Sequence, residues 1–427
     1  MQRFAATWKR SVSSGRGRKR PAPFCGAMRC NACRPCSLTP PSRPVNAPPA
    51  TRPHLAFFVP TLAGGGAERV VVTLANAFTD AGHTVDLLLT SRRGPLSDRV
   101  SPRVSVVDFG RQRTWHTVPA LVRTLRRRQP DVLVSALFGA TVAAYGATSW
   151  MHARGERVPP LCATVHAPLP RTDAQGLRAR LQVRAAHHAL RRADRVVAVS
   201  ARVARDLSTH AGRSRDRIDV IHNPIDVDAV QAGAQAPSPH DWFRDDVPVI
   251  VSAGRLHVQK AHRILLRALA RLREQRPVRA LLLGDGPEQE RLEAQSRRLG
   301  IFADTSFLGF VDNPYAFMAR ADALALPSAA EAFGNVAVEA LACGTPVVAT
   351  ASSGGPVEIL RTDSAAYGAL VPPHDPPALA EALAAAIDQP ADPQRLRRRA
   401  RDFDVAVAVD RYRALFAQLA RGASLLA

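Results

Sequence analysis

A chain of 427 residues is too long for one ordinary domain and comfortable for two, and its 46% apolar content excludes a disordered protein. A net charge of +22 calls for an anionic partner: nucleic acid, an anionic membrane surface or a diphosphate substrate. About half of that excess lies in residues 1–52, which hold Arg and Lys but no Asp or Glu, so the remainder is only moderately basic.

Residues 1–52 contain no apolar run, which excludes a secretory signal. Their composition also suits an organelle transit peptide or an upstream stretch read into the frame; the expectation is a basic disordered tail outside the fold. Cys25, Cys30, Cys33 and Cys36 have metal-like spacing, but few apolar residues surround them to hold a zinc cradle, and no metal site is expected there. Cys162 and Cys343 stand in apolar strings and read as buried free thiols. Without a disulfide framework, a reducing, cytoplasmic compartment is expected.

From residue 53 onward, apolar strand-like runs recur: Leu55–Val59, Val85–Thr90, Val104–Asp108, Val132–Phe138, Leu161–Val165, Arg195–Val199 and Asp219–Ile221. Helical patterns separate several of them, including Ala67–Ala81 and Val118–Arg128. Strands alternating with helices indicate a parallel sheet with crossover connections. The uncharged run Val132–Met151 is long enough to span a bilayer, but Ser, Thr and Gly dilute it, and it reads as a buried strand followed by a helix. Residues Gln231–Pro239 read as a loop. The alternation then restarts with strands Val247–Ser252, Ala280–Leu283, Thr305–Phe307, Ala323–Ala325 and Pro346–Ala349. Helices are expected at Ile264–Gln275, Gln289–Leu299, Pro314–Ala319, Val336–Ala342 and Val405–Ala420. The fold class is therefore α/β, with two Rossmann-like doubly wound domains facing across a cleft: an N-terminal domain over 53–225, a C-terminal domain over 226–400, and a last helix within 401–427 that packs back on the first domain. In such sheets ligands sit beyond the carboxyl ends of the strands.

The unusual residues fall there. After the strand ending near Leu326 comes Ser328-Ala-Ala-Glu331-Ala-Phe333-Gly334-Asn335-Val336-Ala-Val-Glu339. A helix beginning around Phe333–Val336 offers free backbone N–H groups and the positive end of its dipole to a phosphate, and Gly334 permits close backbone approach. Glu331 and Glu339 would be repelled by phosphates but can accept hydrogen bonds from sugar hydroxyls on either side of them. Singly, each would be an ordinary helix carboxylate. After the strand Val247–Ser252 comes Gly254-Arg255-Leu-His-Val-Gln-Lys260, with Lys260 opening the next helix. An Arg forks across two phosphate oxygens and a Lys acts as a point charge. Each cation at about 4 Å would contribute roughly 4 kcal/mol at an effective dielectric near 20, before desolvation. Gly284-Asp285-Gly286 forms a tight turn after a buried strand, itself a weak signal. Gly64-Gly65-Gly66 follows the first strand; Arg69 stands where a dinucleotide fingerprint needs its last glycine.

The Glu331/Glu339 segment, continuing through Cys343-Gly344-Thr345-Pro346 and Gly354-Gly355-Pro356-Val357-Glu358, resembles the motif of family-four retaining glycosyltransferases, whose two glutamates are separated by seven residues. The resemblance covers most of residues 54–420 and implies the GT-B fold and a nucleotide-diphosphate sugar donor, UDP- or GDP-linked, with no cofactor. It implies that Glu331 contacts the donor hexose and Glu339 the ribose. Backbone N–H groups of Phe333, Gly334 and Asn335 would meet hexose or phosphates, with Val336 completing the donor-binding turn, and Arg255 and Lys260 would meet the diphosphate. It also implies that Gly254, Gly284, Gly286, Phe310 and Val311 border the nucleotide, that Gly64, Gly65 and Gly66 form the acceptor-side loop, and that His166 contacts the donor sugar. Ala332 and Ala261 stand where the family usually has glycine.

Asp226-Val-Asp228 matches the metal motif of the other large glycosyltransferase fold but lacks its setting, so no obligatory metal is expected, with Arg255 and Lys260 replacing its charge. Basic helices at Arg123–Arg128 and Arg178–Arg192, with Leu177, Leu181 and Val183 among the arginines, suit an anionic membrane surface at the inner face. The expected acceptor is a glycan or a lipid-linked sugar. A nucleotide-sugar epimerase or hydrolase is the competing enzyme; a nucleic-acid binder lacks any recognition motif, and no nucleic-acid partner is expected.

Overall fold

The computed structural model describes residues 52–169, 176–351 and 354–424. The four N-terminal cysteines and nearly all of the 1–52 tail lie outside them.

The N-terminal lobe is built from β1 (Leu55–Val59), β2 (Val85–Leu89), β3 (Ser105–Asp108), β4 (Val132–Ala136), β5 (Leu161–Val165), β6 (Arg195–Ala198) and β7 (Ile218–Val220). Its helices are α1 (Gly66–Asp80), α2 (Val118–Arg128), α3 (Phe138–His152), α4 (Leu177–Arg192) and α5 (Ala201–His210). The strands form one parallel sheet in the order β3-β2-β1-β4-β5-β6-β7. β1, β2 and β4 are buried along their whole length because helices cover both faces, which is why they read as continuous apolar runs without alternation.

α6 (Val227–Ala234) leads into the second lobe, whose strands are β8 (Val249–Ala253), β9 (Arg279–Leu283), β10 (Thr305–Phe307), β11 (Ala323–Leu326), β12 (Val347–Thr350) and β13 (Ala369–Val371). They form a second parallel sheet, β10-β9-β8-β11-β12-β13. Around it pack α7 (His262–Arg273), α8 (Gln289–Arg298), α9 (Tyr315–Met318), α10 (Asn335–Cys343), α11 (Gly354–Leu360), α12 (Pro376–Asp388) and α13 (Pro393–Arg401). α14 (Val405–Ser424) returns to the first lobe, where Phe416 packs against Phe57 and Phe78. Each sheet reverses its strand order, at β1/β4 and at β8/β11, and these reversals open the crevices where a doubly wound sheet takes its ligand.

The α/β reading with two Rossmann-like lobes holds, and several local expectations are corrected. The strand expected over Val132–Phe138 ends at Ala136, because Leu137 turns to φ 74° and Phe138 starts α3. The membrane-length run is thus split between a strand and a helix, and no helix among the described residues is long and apolar enough to cross a membrane. Gln231–Ala234, read as loop, belongs to α6. Asp226 caps that helix by accepting the Ala229 N–H (2.9 Å), while Asp228 pairs with Arg401 (2.6 Å); the metal-like pair serves the lobe junction. Lys260 does not open α7. It ends a short 3-10 turn, and Ala261 at φ 51° separates it from the helix. That is the position where the family's glycine would cost least, since alanine in the left-handed region is strained by roughly 1 kcal/mol. Cys162 and Cys343 are buried free thiols.

The chain crosses between lobes twice, and the crossings touch: the Ile225 N–H donates to the Phe403 carbonyl (2.9 Å). Glu358, on α11 of the second lobe, accepts the Ala201 N–H at the start of α5 (2.9 Å) and contacts His222 (3.0 Å).

Candidate functional site

Parallel strands place all their carboxyl ends on one edge, so the loops after β8 and β11 are neighbours by topology. Lys260, from the first, donates to Glu331 Oε1, from the second, and the Ser328 hydroxyl donates to the same oxygen (3.0 Å). A second bond ties the loops: the Ala329 N–H donates to the Gln259 carbonyl (2.8 Å). Glycines let the turns stack. A Cβ on Gly284 would sit 2.3 Å from the Gly254 carbonyl oxygen, and one on Gly286 2.3 Å from that of Leu256. The Gly284 N–H donates to the Gly309 carbonyl (2.6 Å), which brings the Gly309–Val311 turn alongside. Phe310 is exposed there; Val311 packs into the core.

α10 begins at Asn335, behind Gly334 at φ 96°, and the first turn of the helix has no side-chain cap. Phe333 is not a ligand-facing side chain: it is buried and stacked on His222 (5.4 Å), so only its backbone is available. Val336 is half-buried against the core. Glu339, one turn along, is buried at 5% exposure. Burial pushes its carboxyl up, opposed by the Arg69 guanidinium and then by Lys260. Arg255 is exposed on the β8 loop and has no carboxylate partner among the described residues.

The N-terminal lobe closes the site from the opposite side. Gly66 faces the Asn335 side chain so closely that a Cβ would lie 3.5 Å from its Nδ2, while Gly64 takes φ 93° in the turn and Gly65 precedes α1. His166, after β5, bonds Asn223 Oδ1 through Nδ1 (3.1 Å) and Thr164 Oγ1 through Nε2 (2.9 Å). Asn223 in turn donates to Asn335 Oδ1 (2.8 Å), so one polar chain runs from β5 to the start of α10. Burial lowers the His166 ring to about 4, against the Asn223 hydrogen bond, and the ring is neutral near pH 7.

Three participants were missed from the sequence. Arg69 reaches across from α1 to Glu339 (3.8 Å) and to the Tyr315 hydroxyl (3.5 Å), and Asn223 bridges the lobes. Arg69 follows the glycine loop and Tyr315 lies in the helix expected at Pro314–Ala319, but nothing local marks a side chain whose partner is more than a hundred residues away. The site thus combines a cation–carboxylate pair, an uncapped helix start, a buried carboxylate with a counter-charge from the other lobe, and a neutral imidazole. This set can bind a diphosphate between two polyhydroxylated groups.

Two family models match the chain: "Glycosyltransferase Family 4" over residues 64–229 and "Glycosyl transferases group 1" over residues 239–403. The glycogen synthase of Mycobacterium tuberculosis is 30% identical over 383 residues, covering 81% of this chain and 89% of the relative. A Campylobacter jejuni N-acetylgalactosamine-N,N'-diacetylbacillosaminyl-diphospho-undecaprenol 4-alpha-N-acetylgalactosaminyltransferase is 33% identical over 167 residues, 39% of this chain and 43% of the relative. Among solved structures, HepE of Anabaena, in complex with UDP and glucose, superposes with a TM-score of 0.72 at 25% identity, covering 86% of this chain and all of that one.

Proposed function

Because the chain belongs to the group 1, family 4 glycosyltransferases, we propose that it moves a hexose or N-acetylhexosamine from a UDP-linked donor to a glycan or lipid-linked acceptor, with retention of anomeric configuration and without an obligatory metal. The observation that carries this reading is the Lys260–Glu331 pair set beside the open start of α10 and facing Gly66 of the other lobe. The diphosphate is held by Arg255, Lys260 and the N–H groups at Gly334–Val336. As the sugar departs the leaving phosphate gains negative charge, so these contacts strengthen in the transition state and accelerate the chemistry. Glu331 exchanges part of its bond with Lys260 for a donor-sugar hydroxyl, Glu339 takes the ribose hydroxyls, and His166, neutral, presents its ring to the sugar. The acceptor attacks the face from which the diphosphate leaves, and a leaving phosphate oxygen takes its proton. The protein's contribution is positioning and charge stabilisation. The UDP in the HepE complex supports uridine as the base.

The relative that acts on a diphospho-undecaprenol substrate supports a lipid-linked acceptor, and α4 supports a membrane-facing lobe. Leu177 and Leu181 are exposed on it, followed by Arg184, His188 and Arg191 along one side of a groove of about 740 Å³. Val183 instead faces the core, and two arginines of the other basic stretch are used internally, Arg126 with Glu156 and Arg128 with Asp86. α4 is thus the surface that meets anionic lipid at the inner face of the membrane. Flotation with phosphatidylglycerol vesicles at low salt checks it: capture is expected, and its absence removes the membrane from the account.

The donor is tested by a thermal-shift panel of nucleotide sugars. One UDP-hexose should raise Tm well above the rest, and the rise should vanish in Lys260→Ala. A flat panel, or a shift retained in that variant, would remove the cleft as the donor site.

A further inference from the structure

The carboxyl ends of β1 to β4 also carry a feature that donor binding leaves unexplained. The loop after β3 does not turn away from the sheet. The Phe109 N–H donates to the Leu89 carbonyl (3.0 Å), the Arg111 N–H to that of Thr90 (2.8 Å), and the Phe109 ring packs edge-on to Phe58 of β1 (6.2 Å). Thr114 then reaches Gly139 in the first turn of α3, where a Cβ would lie 3.8 Å from its hydroxyl. Residues 109–117 therefore lie across the ends of β2 and β1, on the rim that carries Gly64–Gly66. The loop after β2 sits alongside, with the Arg93 carbonyl accepting the Leu62 N–H (2.9 Å). Leu137, after β4, is held at φ 74°, a strained conformation for a branched side chain and one that concentrates at binding sites.

This rim presents Arg92, Arg93, Arg111 and Arg113, all exposed and none with a side-chain partner among the described residues. Elsewhere in the same lobe arginines find carboxylates, as Arg126, Arg128, Arg157 and Arg195 do. Residues 90–94 and 109–117 contain no Asp or Glu; Asp98 lies beyond them in the turn Pro95–Arg99, and Asp108 at the end of β3 is turned to the Gly110 N–H. Among these cations Trp115 stands 62% exposed, its ring beside that of His116 (3.9 Å). Trp and Arg are among the side chains that most often anchor a bound partner.

We propose that this rim is the acceptor subsite and that it selects a sugar ring bearing a phosphate or diphosphate ester: Trp115 supports the apolar face of the ring, and Arg111 and Arg113, with Arg92 and Arg93, take the phosphate oxygens. The assignment as an acceptor site rests on the transferase reading of the cleft.

The test is calorimetric titration of the full-length chain with glucose 1-phosphate, methyl α-glucoside and inorganic phosphate, with and without saturating UDP. Glucose 1-phosphate should bind more tightly than either half, UDP should not displace it, and Trp115→Ala and Arg111→Ala/Arg113→Ala should each weaken it about tenfold while leaving UDP affinity unchanged. These side chains are exposed, so both variants should melt with the parent. Equal affinity in parent and variants, or displacement by UDP, overturns the proposal. Loss of UDP binding in the parent sinks the donor assignment alone, since binding at the rim is read independently. Repeating the titration with the same ester on a farnesyl chain separates a lipid-borne acceptor from a soluble one; the rim assignment holds in either case provided that the variants weaken binding.

Discussion

The two lobes share a strand order and differ in how they build their half of the cleft. In the C-terminal lobe the candidate site residues come in contiguous stretches, Gly254–Lys260, Gly284–Gly286 and Ser328–Glu339. In the N-terminal lobe they are single residues from distant elements: Gly66 and Arg69 on α1, Trp115 after β3, His166 after β5 and Asn223 at the junction. The reason is chemical. A diphosphate between two sugars demands adjacent N–H groups, paired cations and close backbone approach, and only a few consecutive residues in a turn supply these together. An acceptor makes no such uniform demand, so its side can be assembled from isolated side chains on a rigid sheet edge.

If that contrast is sound, the largest effects come from the contiguous lobe. Lys260→Ala and Glu331→Ala should each lower transfer by about 10²- to 10³-fold at saturating donor, as loss of one preorganised charge at a reacting centre does. Near-parental turnover in either purified variant would break the assignment. An intermediate effect is expected where the lobes meet. Arg69→Met removes the nearest counter-charge of the buried Glu339. The KM for donor should rise about tenfold with a smaller change in kcat, because a buried carboxylate that loses its partner is expensive to keep ionised. An unchanged KM would show that the first lobe does not complete the donor site. The smallest effect concerns His166. Its ring is held down to about 4 when folded and takes a proton near 6.5 when unfolded, so between those values the unfolded chain binds more protons. Stability should therefore fall as pH drops from about 6.5 toward 4, and part of that slope should vanish in His166→Gln. Denaturant midpoints across the window measure it; identical slopes in parent and variant would place His166 in a solvated setting.

Particular residues show where sequence reading succeeded. Every strand of the first sheet and all but β13 of the second are legible because buried parallel strands leave apolar runs, as in Leu55–Val59 and Ala323–Leu326, and helices such as Val118–Arg128 carry a one-sided stripe. The end of α6 merges into the loop-like Gln231–Pro239, and α12 leaves no clear pattern, because short or Ala-rich helices offer little contrast between faces. Lys260 reads as a helix start that Ala261 prevents, since an alanine in the left-handed region is invisible to propensity.

What the amino-acid sequence determined alone is the class of fold and the contiguous segments that line the C-terminal side of the cleft, because both arise from interactions among residues close along the chain: burial periodicity, helix starts, glycine turns and clustered charge. The tertiary structure alone decided which charges meet. Lys260 with Glu331, Arg69 with Glu339 and Asn223 with Asn335 are contacts between segments far apart in sequence, and only the closing of two sheets around common edges brings such groups within a few ångströms.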